Sequence, residues 1–433
     1  MKLTEDQILS LAPDEASKKS GKDLANPSKW ITKGVNEQAL WGECQGSGSK
    51  PYQTTIDLSN IAFKCSCPSR KFPCKHGISL GLLYARNEPL FARAEAPPWV
   101  TDWLSKRVQK EEKKEEKKEK DVDEGAQAKR QQAREQKVSD GIDELLVWIK
   151  DIVRNGIVNI PDKGYAYWDG MAKRMVDAQA SGLAGMIKNL GNINFFKENW
   201  QSEFLDALVS LYLVAKGYQN KDGLPFPVVQ EIRNWIGFTQ NQDELKEQEG
   251  IKDCWLVVGK QLTEDDNLTI ERNWLYGIKT NQYALVLQFL IRGQGATLLL
   301  SPGMYLEGEL VYFPSVTPLR ALAKRQVASG PTSVQQLFTS WNEVAEKETD
   351  GCLNYPVRNE RPFGIEQVIP VLFNNGWWLK DRENNLVAIK ENFSDIWKLL
   401  ALSGGEPLDM VVLGKEQTFE PIGVWHHKIY KVI

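Results

Sequence analysis

Cys65, Cys67, Cys74 and His76 form two doublets, C-x-C and C-x-H, six residues apart, and no other feature of the chain restricts its folding as tightly. Only six cysteines and three histidines occur in 433 residues, so this clustering stands far from chance. On an extended strand residues i and i+2 project from one face, which lets Cys65 and Cys67 grip a single ion. Pro68, Pro73 and Gly77 break regular backbone between and after the doublets and let the chain return. Cys74 and His76 then stand at the entrance of a helix beginning near residue 76, where the helix N-terminus favours the thiolate. Three thiolates and one imidazole complete a closed tetrahedral shell, the arrangement of a structural rather than a catalytic zinc site. Soft sulfur argues against Mg2+ or Ca2+, while copper(I) and iron–sulfur stay open but lack their usual ligand sets. Zinc contributes about 10–16 kcal/mol in finger peptides. That exceeds what so small a core supplies, so residues 39–88 are expected to depend on the metal. The competing readings are buried reduced thiols, or a C-x-C redox pair beside an unrelated Cys and His. Cys44 is a fifth candidate ligand, weighed against a plain core thiol on a strand.

Cellular compartment bears on that choice. The N-terminal stretch has no apolar segment of signal-peptide length, and the longest apolar runs, such as 283–291, fall well short of the roughly 20 residues a bilayer needs. A cytoplasmic protein is expected, where thiols stay reduced and clustered cysteines point to metal rather than disulfides. The net charge of -3 removes any whole-chain electrostatic case for nucleic acid, leaving only a local basic patch.

The chain divides by texture, and an α+β, multidomain class is expected. Residues 1–105 read as a small domain: strands at 39–44, 52–58 and 61–65, then a helix at 77–86, a ββα-type finger. Residues 106–139 contain KEEKKEEKKEK, in which the period of four makes i,i+4 pairs such as Glu111 with Glu115 and Lys113 with Lys117 like-charged, which disfavours helix. A charged, solvated linker of partial helicity is expected, separating two independently folded parts. Residues 140–245 look helical, with helices from 140, over 167–190, over 196–218, and from Pro225 through 238. Residues 246–433 read as an antiparallel α+β domain of unassigned role. Its strands lie at 255–259, 268–274 and 283–291, with a helix at 333–347 and a hairpin at 376–380 and 386–389. A helix at 393–402 and strands at 409–413 and 418–425 complete it.

The spacing C-x-C-x6-C-x-H, with strands before it and a helix after it, resembles the SWIM-type zinc finger over about residues 35–90. Trp41 and the helix GISLGLLYAR are similar to that family as well. The resemblance implies zinc ligation by Cys65, Cys67, Cys74 and His76, and binding of DNA or of other proteins. The family occurs in ATPases, transposases and stand-alone bacterial proteins; no helicase or transposase motif is present here, which fits the stand-alone kind.

Between Asp57 and Glu88 every charged residue is basic: Lys64, Arg70, Lys71, Lys75 and Arg86. Lys64, Arg70, Lys71 and Lys75 are candidate nucleic-acid contacts, with Phe72 among them. The same charges also balance a shell whose three thiolates and Zn2+ sum to -1. Of fifteen tryptophans, Trp148, Trp200, Trp235 and Trp397 lie on apolar helix faces and are expected in the core. Trp377 and Trp378 are strand neighbours facing opposite ways, so one is a candidate interface residue. His426 and His427 cannot both face one ion, and Gly293-Gln-Gly295 reads as a hairpin turn. No P-loop, G-x-S-x-G or H-E-x-x-H is present, so the chain is not expected to be an enzyme, and no small-molecule substrate is evident. The function expected is a binding protein holding one structural Zn2+, with DNA or a protein as partner. The alternative is an accessory subunit, for example of an ATPase, acting only through protein contacts.

Overall fold

Turn residues between short β-rich runs shape the first part of the chain. The computed structural model describes residues 5–12, 15–46, 50–58, 62–69, 71, 73–116, 124–265, 268–291, 300–329, 336–354, 360–415, 418–427 and 429–433. Helices α1 (Glu5–Ser10) and α2 (Glu15–Leu24) precede strands β1 (Trp30–Val35), β2 (Ala39–Cys44), β3 (Tyr52–Asp57) and β4 (Ala62–Cys65), an antiparallel meander. Helix α3 (Lys75–Arg86) follows, and strand β5 (Ala92–Arg93) adds in parallel beside β1, giving the order β4-β3-β2-β1-β5. Leu80 and Leu83 of α3 share a core with Leu40, Ile56 and Phe63 of the sheet. Ile78 and Leu82, one turn apart, pack with Ile8 of α1. The opposite face of the sheet buries Ala39 and Trp41 against Val100 of α4 (Pro98–Glu116). The expected finger is thus embedded in a larger sheet. Strand β1 and helices α1 and α2 were not anticipated, because their apolar residues are too few to show a period.

Helix α5 (Glu124–Asn155) begins inside the stretch expected to be a linker. Burial of Val138 and contacts from Arg134 and Glu135 draw residues 124–139 onto the helices that follow. A single helix over 167–190 is replaced by α6 (Tyr165–Asp177) and α7 (Ser181–Gly191). Gln179 between them has φ of 60°, left-handed backbone that no helix continues through. Trp168 near the start of α6 lies beneath Gly191 at the end of α7, so the pair forms an antiparallel hairpin. Helices α8 (Trp200–Gln219) and α9 (Phe226–Ile236) close the bundle, and the short α10 (Gln242–Glu247) leads out of it. Its core includes Leu145, Ile149, Met175, Ile187, Phe204 and Leu211.

Two further sheets follow, so the α+β class holds. Strands β6 (Ile251–Asp265), β7 (Leu268–Gly277), β8 (Tyr283–Ile291), β9 (Tyr305–Tyr312) and β10 (Ala321–Ser329) form an antiparallel sheet ordered β10-β9-β6-β7-β8. Residues Trp255 to Val258 are buried without alternation because both faces are covered. Trp255 and Val257 fall in one cluster with finger residues, and Leu256 and Val258 in another with Val411, Leu413 and Tyr430. The Tyr430 hydroxyl donates to the Val258 carbonyl at 2.6 Å. The finger core therefore continues into this sheet, in place of the independent part expected.

Helix α11 (Trp341–Asn354) precedes the last sheet: β11 (Arg361–Phe373), β12 (Gly376–Lys380), β13 (Leu386–Ile389), α12 (Ile396–Ser403), β14 (Leu408–Lys415), β15 (Thr418–His426) and β16 (Ile429–Val432). Its order is β13-β12-β11-β14-β15-β16, and β13 also pairs in parallel with β15, so five strands close on themselves. Phe363, Ile365, Leu379, Met410, Val412 and Phe419 fill the interior, with Leu399 of α12 and Trp341 of α11 in the same core. Trp148, Trp200 and Trp235 pack against the bundle core, whereas Trp397, expected in the core, is 74% exposed. Helix α12 is only two turns long, and Ile396 and Leu399 take its inward positions. Gly293-Gln-Gly295 lies outside the described residues.

Candidate metal centre

Pairing of β3 with β4 puts Thr54 opposite Cys65. Strand β4 ends at Cys65, and Cys67 sits in the bend that follows, so the first doublet straddles the end of a strand instead of lying along it. Pro68 explains the bend, since it restricts the residue before it and offers no N–H to a ladder. Cys74 is the N-cap of α3, with extended backbone, and His76 lies in the first turn.

These steps converge the four side chains. Their ligand atoms all lie within 4.8 Å of one another. Nδ1 of His76 is 3.7 Å from Cys65 Sγ and 3.9 Å from Cys74 Sγ. A tetrahedron with Zn–S of about 2.3 Å and Zn–N of about 2.0 Å sets its corners about 3.5–3.8 Å apart. The donors present therefore fit one small tetrahedral cation. Cys74 and His76 are buried, and Cys65 and Cys67 half-buried. Four protein ligands leave no open position, so such a cation holds the chain together and is not placed to react. Cys44, the fifth candidate, is a buried thiol on β2 directed to the Gln45 carbonyl at 3.7 Å and is not part of the group.

The electrostatics suit ligation. A hydrogen bond from Cys65 leads in pulling the Cys74 thiol down to about 4, helped by His76 and the Gly77 N–H at the helix start. The same sharing pushes Cys65 up, and burial pushes Cys67 up. Thr54 Oγ1 lies 3.3 Å from Cys65 Sγ, and the ring of Tyr52 packs on His76 with centroids 4.9 Å apart. Thr54 and Tyr52 were not singled out from the sequence. Strand β3 was legible, but its register on β4, which sets Thr54 opposite Cys65, is a tertiary pairing that no local period encodes.

Lys64, Lys71 and Lys75 are exposed around the doublets, on β4, in the loop and at the first position of α3. Arg70 and Phe72 lie outside the described residues. Arg86 is turned away to Glu5 of α1 at 2.8 Å. His426 ends β15 and His427 follows in a left-handed turn, their rings 4.1 Å apart.

A Cys3His finger ahead of a helical bundle defines the class. A family model for the SWIM-associated four-helix bundle domain matches residues 133–236, from within α5 to the last residue of α9. The chain thus carries the SWIM-associated bundle together with a Cys/His cluster consistent with a SWIM zinc finger. No curated protein and no solved structure matches it. Among the described residues no helix is long and apolar enough to cross a membrane.

Proposed function

We propose that the protein is a cytoplasmic zinc-dependent binding protein, not a catalyst, whose finger engages duplex DNA. The observation that carries this reading is the set of exposed lysines, Lys64, Lys71 and Lys75, around a closed Cys3His shell. Three sulfurs and one imidazole nitrogen at tetrahedral spacing favour Zn2+ over harder cations. The metal ties the two doublets together, and the exposed Lys64, Lys71 and Lys75 beside it are the side chains offered to phosphates. Phosphate neutralisation steepens the salt dependence of duplex binding by about 0.9 per contact. Replacing Arg70, Lys71 and Lys75 with Ala in the full chain is therefore expected to flatten the slope of log K against log salt by roughly 2.7. Fluorescence anisotropy of a labelled duplex measures it; negligible, salt-insensitive binding by the zinc-loaded protein overturns the reading.

A second reading, an accessory subunit acting only through protein contacts, for example with an ATPase, draws support from a different place. Val153 of α5 and Leu205 and Val209 of α8 form an exposed apolar groove on the bundle. Exposed contiguous apolar surface commonly marks a protein interface.

A further inference from the structure

Strands β11 to β15 close in a particular way. β11 pairs antiparallel with β12 and β14, β12 with β13, β14 with β15, and β13 joins β15 in parallel, while α12 lies between β13 and β14. The first strand, β11, is 13 residues long and bends at a bulge between Ile365 and Val368, where Gln367 has φ of 55°. This is the five-stranded Greek-key barrel of the OB-fold, whose second and third strands form the outer face used for oligonucleotides and oligosaccharides.

The outer surface of this barrel is divided. The side formed by β14 and β15 is occupied, since Val411, Leu413 and Ile422 pack with the preceding sheet. The side formed by β11, β12 and β13 is open. Register aligns Val371, Trp378, Ala388, Thr418 and Lys415 in one row across the barrel. Every member of that row is half-buried or exposed, while the intervening Leu379, Ile389 and Phe419 point inward. Phe373, 49% exposed, meets Trp378 edge-on with centroids 6.2 Å apart. The indole N–H donates to the Phe373 carbonyl at 3.0 Å, which fixes the ring in place. The two-residue turn Asn374–Asn375, both with positive φ, is a type I′ hairpin that brings Phe373 and Trp378 together. Lys380 lies two residues beyond Trp378 on the same face, and Lys415 ends the row.

We propose that this face binds single-stranded nucleic acid, with Trp378 and Phe373 as the stacking platform and Lys380 and Lys415 as phosphate contacts. Sugar-binding platforms pair aromatic rings with carboxylates that accept hydroxyl protons. Here, among the described residues, Glu420 is engaged by Lys390 at 2.6 Å and Glu366 by Arg382 at 3.1 Å. The charge and the rings therefore favour phosphates and bases. With two lysines on the face, affinity comes mainly from stacking, and the salt slope is shallow, about -0.7 per phosphate and so roughly -1.4 in all. The proposal is independent of the duplex reading of the finger.

Full-length zinc-loaded protein is titrated into a fluorescein-labelled oligo-dT of about 15 nucleotides, the upper range of one such barrel. Binding with the shallow slope is expected, weakened about tenfold or more in the Phe373→Ala, Trp378→Ala double variant at unchanged melting temperature. Trp378→Phe, which keeps a ring, restores most of the affinity. The finger variant with Arg70, Lys71 and Lys75 changed to Ala is expected to bind oligo-dT as the wild type does. Absence of binding, a double variant that binds normally, or loss of oligo-dT binding on changing the finger alone overturns the proposal.

Discussion

Thr54 Oγ1, 3.3 Å from Cys65 Sγ, supports the side chain that starts the metal group, and it comes from a strand with no ligand of its own. Groups that orient a ligand typically alter metal affinity 10–100-fold. Thr54→Val, nearly isosteric, is expected to weaken Zn2+ binding about tenfold, read by competition with a chromogenic chelator. Glu135 plays the corresponding part in the bundle. Its carboxylate accepts from the Tyr218 hydroxyl, from Arg233, and from Lys221 at 3.1 Å. Burial alone raises the Glu135 carboxyl, but these three donors outweigh it and hold the group below the usual carboxylate range. A carboxyl depressed in the folded state contributes stability above its unfolded value near 4.3 and loses that contribution as pH falls through the folded value. Glu135→Gln is therefore expected to cost about 1–3 kcal/mol at neutral pH. The gap to wild type is expected to narrow below about pH 4, measured by urea denaturation across pH.

At the scale of elements, α7 and α9 meet backbone to backbone at a glycine. A Cβ on Gly182 would stand 2.0 Å from the Trp235 carbonyl oxygen, so the second residue of α7 has to be glycine for the two backbones to meet. Gly237, with φ of 107°, ends α9 beside it and turns the chain toward Phe238. Gly182→Ala is expected to destabilise the bundle by about 1–3 kcal/mol or more through overpacking, seen as a lowered urea midpoint. A smaller effect at Gly185, where added volume meets nothing within 4 Å, is the internal control. Elements with a clear apolar period were legible beforehand: α8, α9, α12, the finger strands β2, β3 and β4, and the β12–β13 hairpin. Strands β9, β10, β11 and β16 were not. Their neighbours lie far along the chain, and polar residues such as Glu307, Glu309 and Lys324 interrupt any alternation.

At the scale of the whole molecule, one shared apolar cluster and a set of polar contacts tie the parts of the chain together. Leu40, Ile56 and Phe91 of the finger share one cluster with Trp255, Leu306 and Leu310 of the sheet that follows the bundle. Glu231 of α9 accepts from the Ser315 hydroxyl at 2.8 Å and the Val316 N–H at 3.1 Å, and Arg361 reaches the Thr317 carbonyl at 3.2 Å. Segment 315–317 thus joins the bundle to both C-terminal sheets. Metal removal is expected to act locally at first, because about 10–16 kcal/mol of metal binding is concentrated in the finger. Addition of a strong chelator is expected to open residues 39–88 to protease while the bundle resists, as mapped by mass spectrometry of the fragments. Equal resistance throughout would count against a metal-dependent finger.

The ligand set, its tetrahedral capacity and the α+β texture could be read from the chain alone, because they rest on residue type and short spacing. Cys65, Cys67, Cys74 and His76 lie within twelve positions, where backbone geometry is nearly independent of the rest of the fold. Tertiary structure decided the rest. Thr54 came to stand against Cys65 through strand register, residues 124–139 became helix through burial of Val138, and Trp378 reached the open side of a closed barrel through the β13–β15 pairing. Each of these depends on partners distant in sequence, whose pairing no local period encodes.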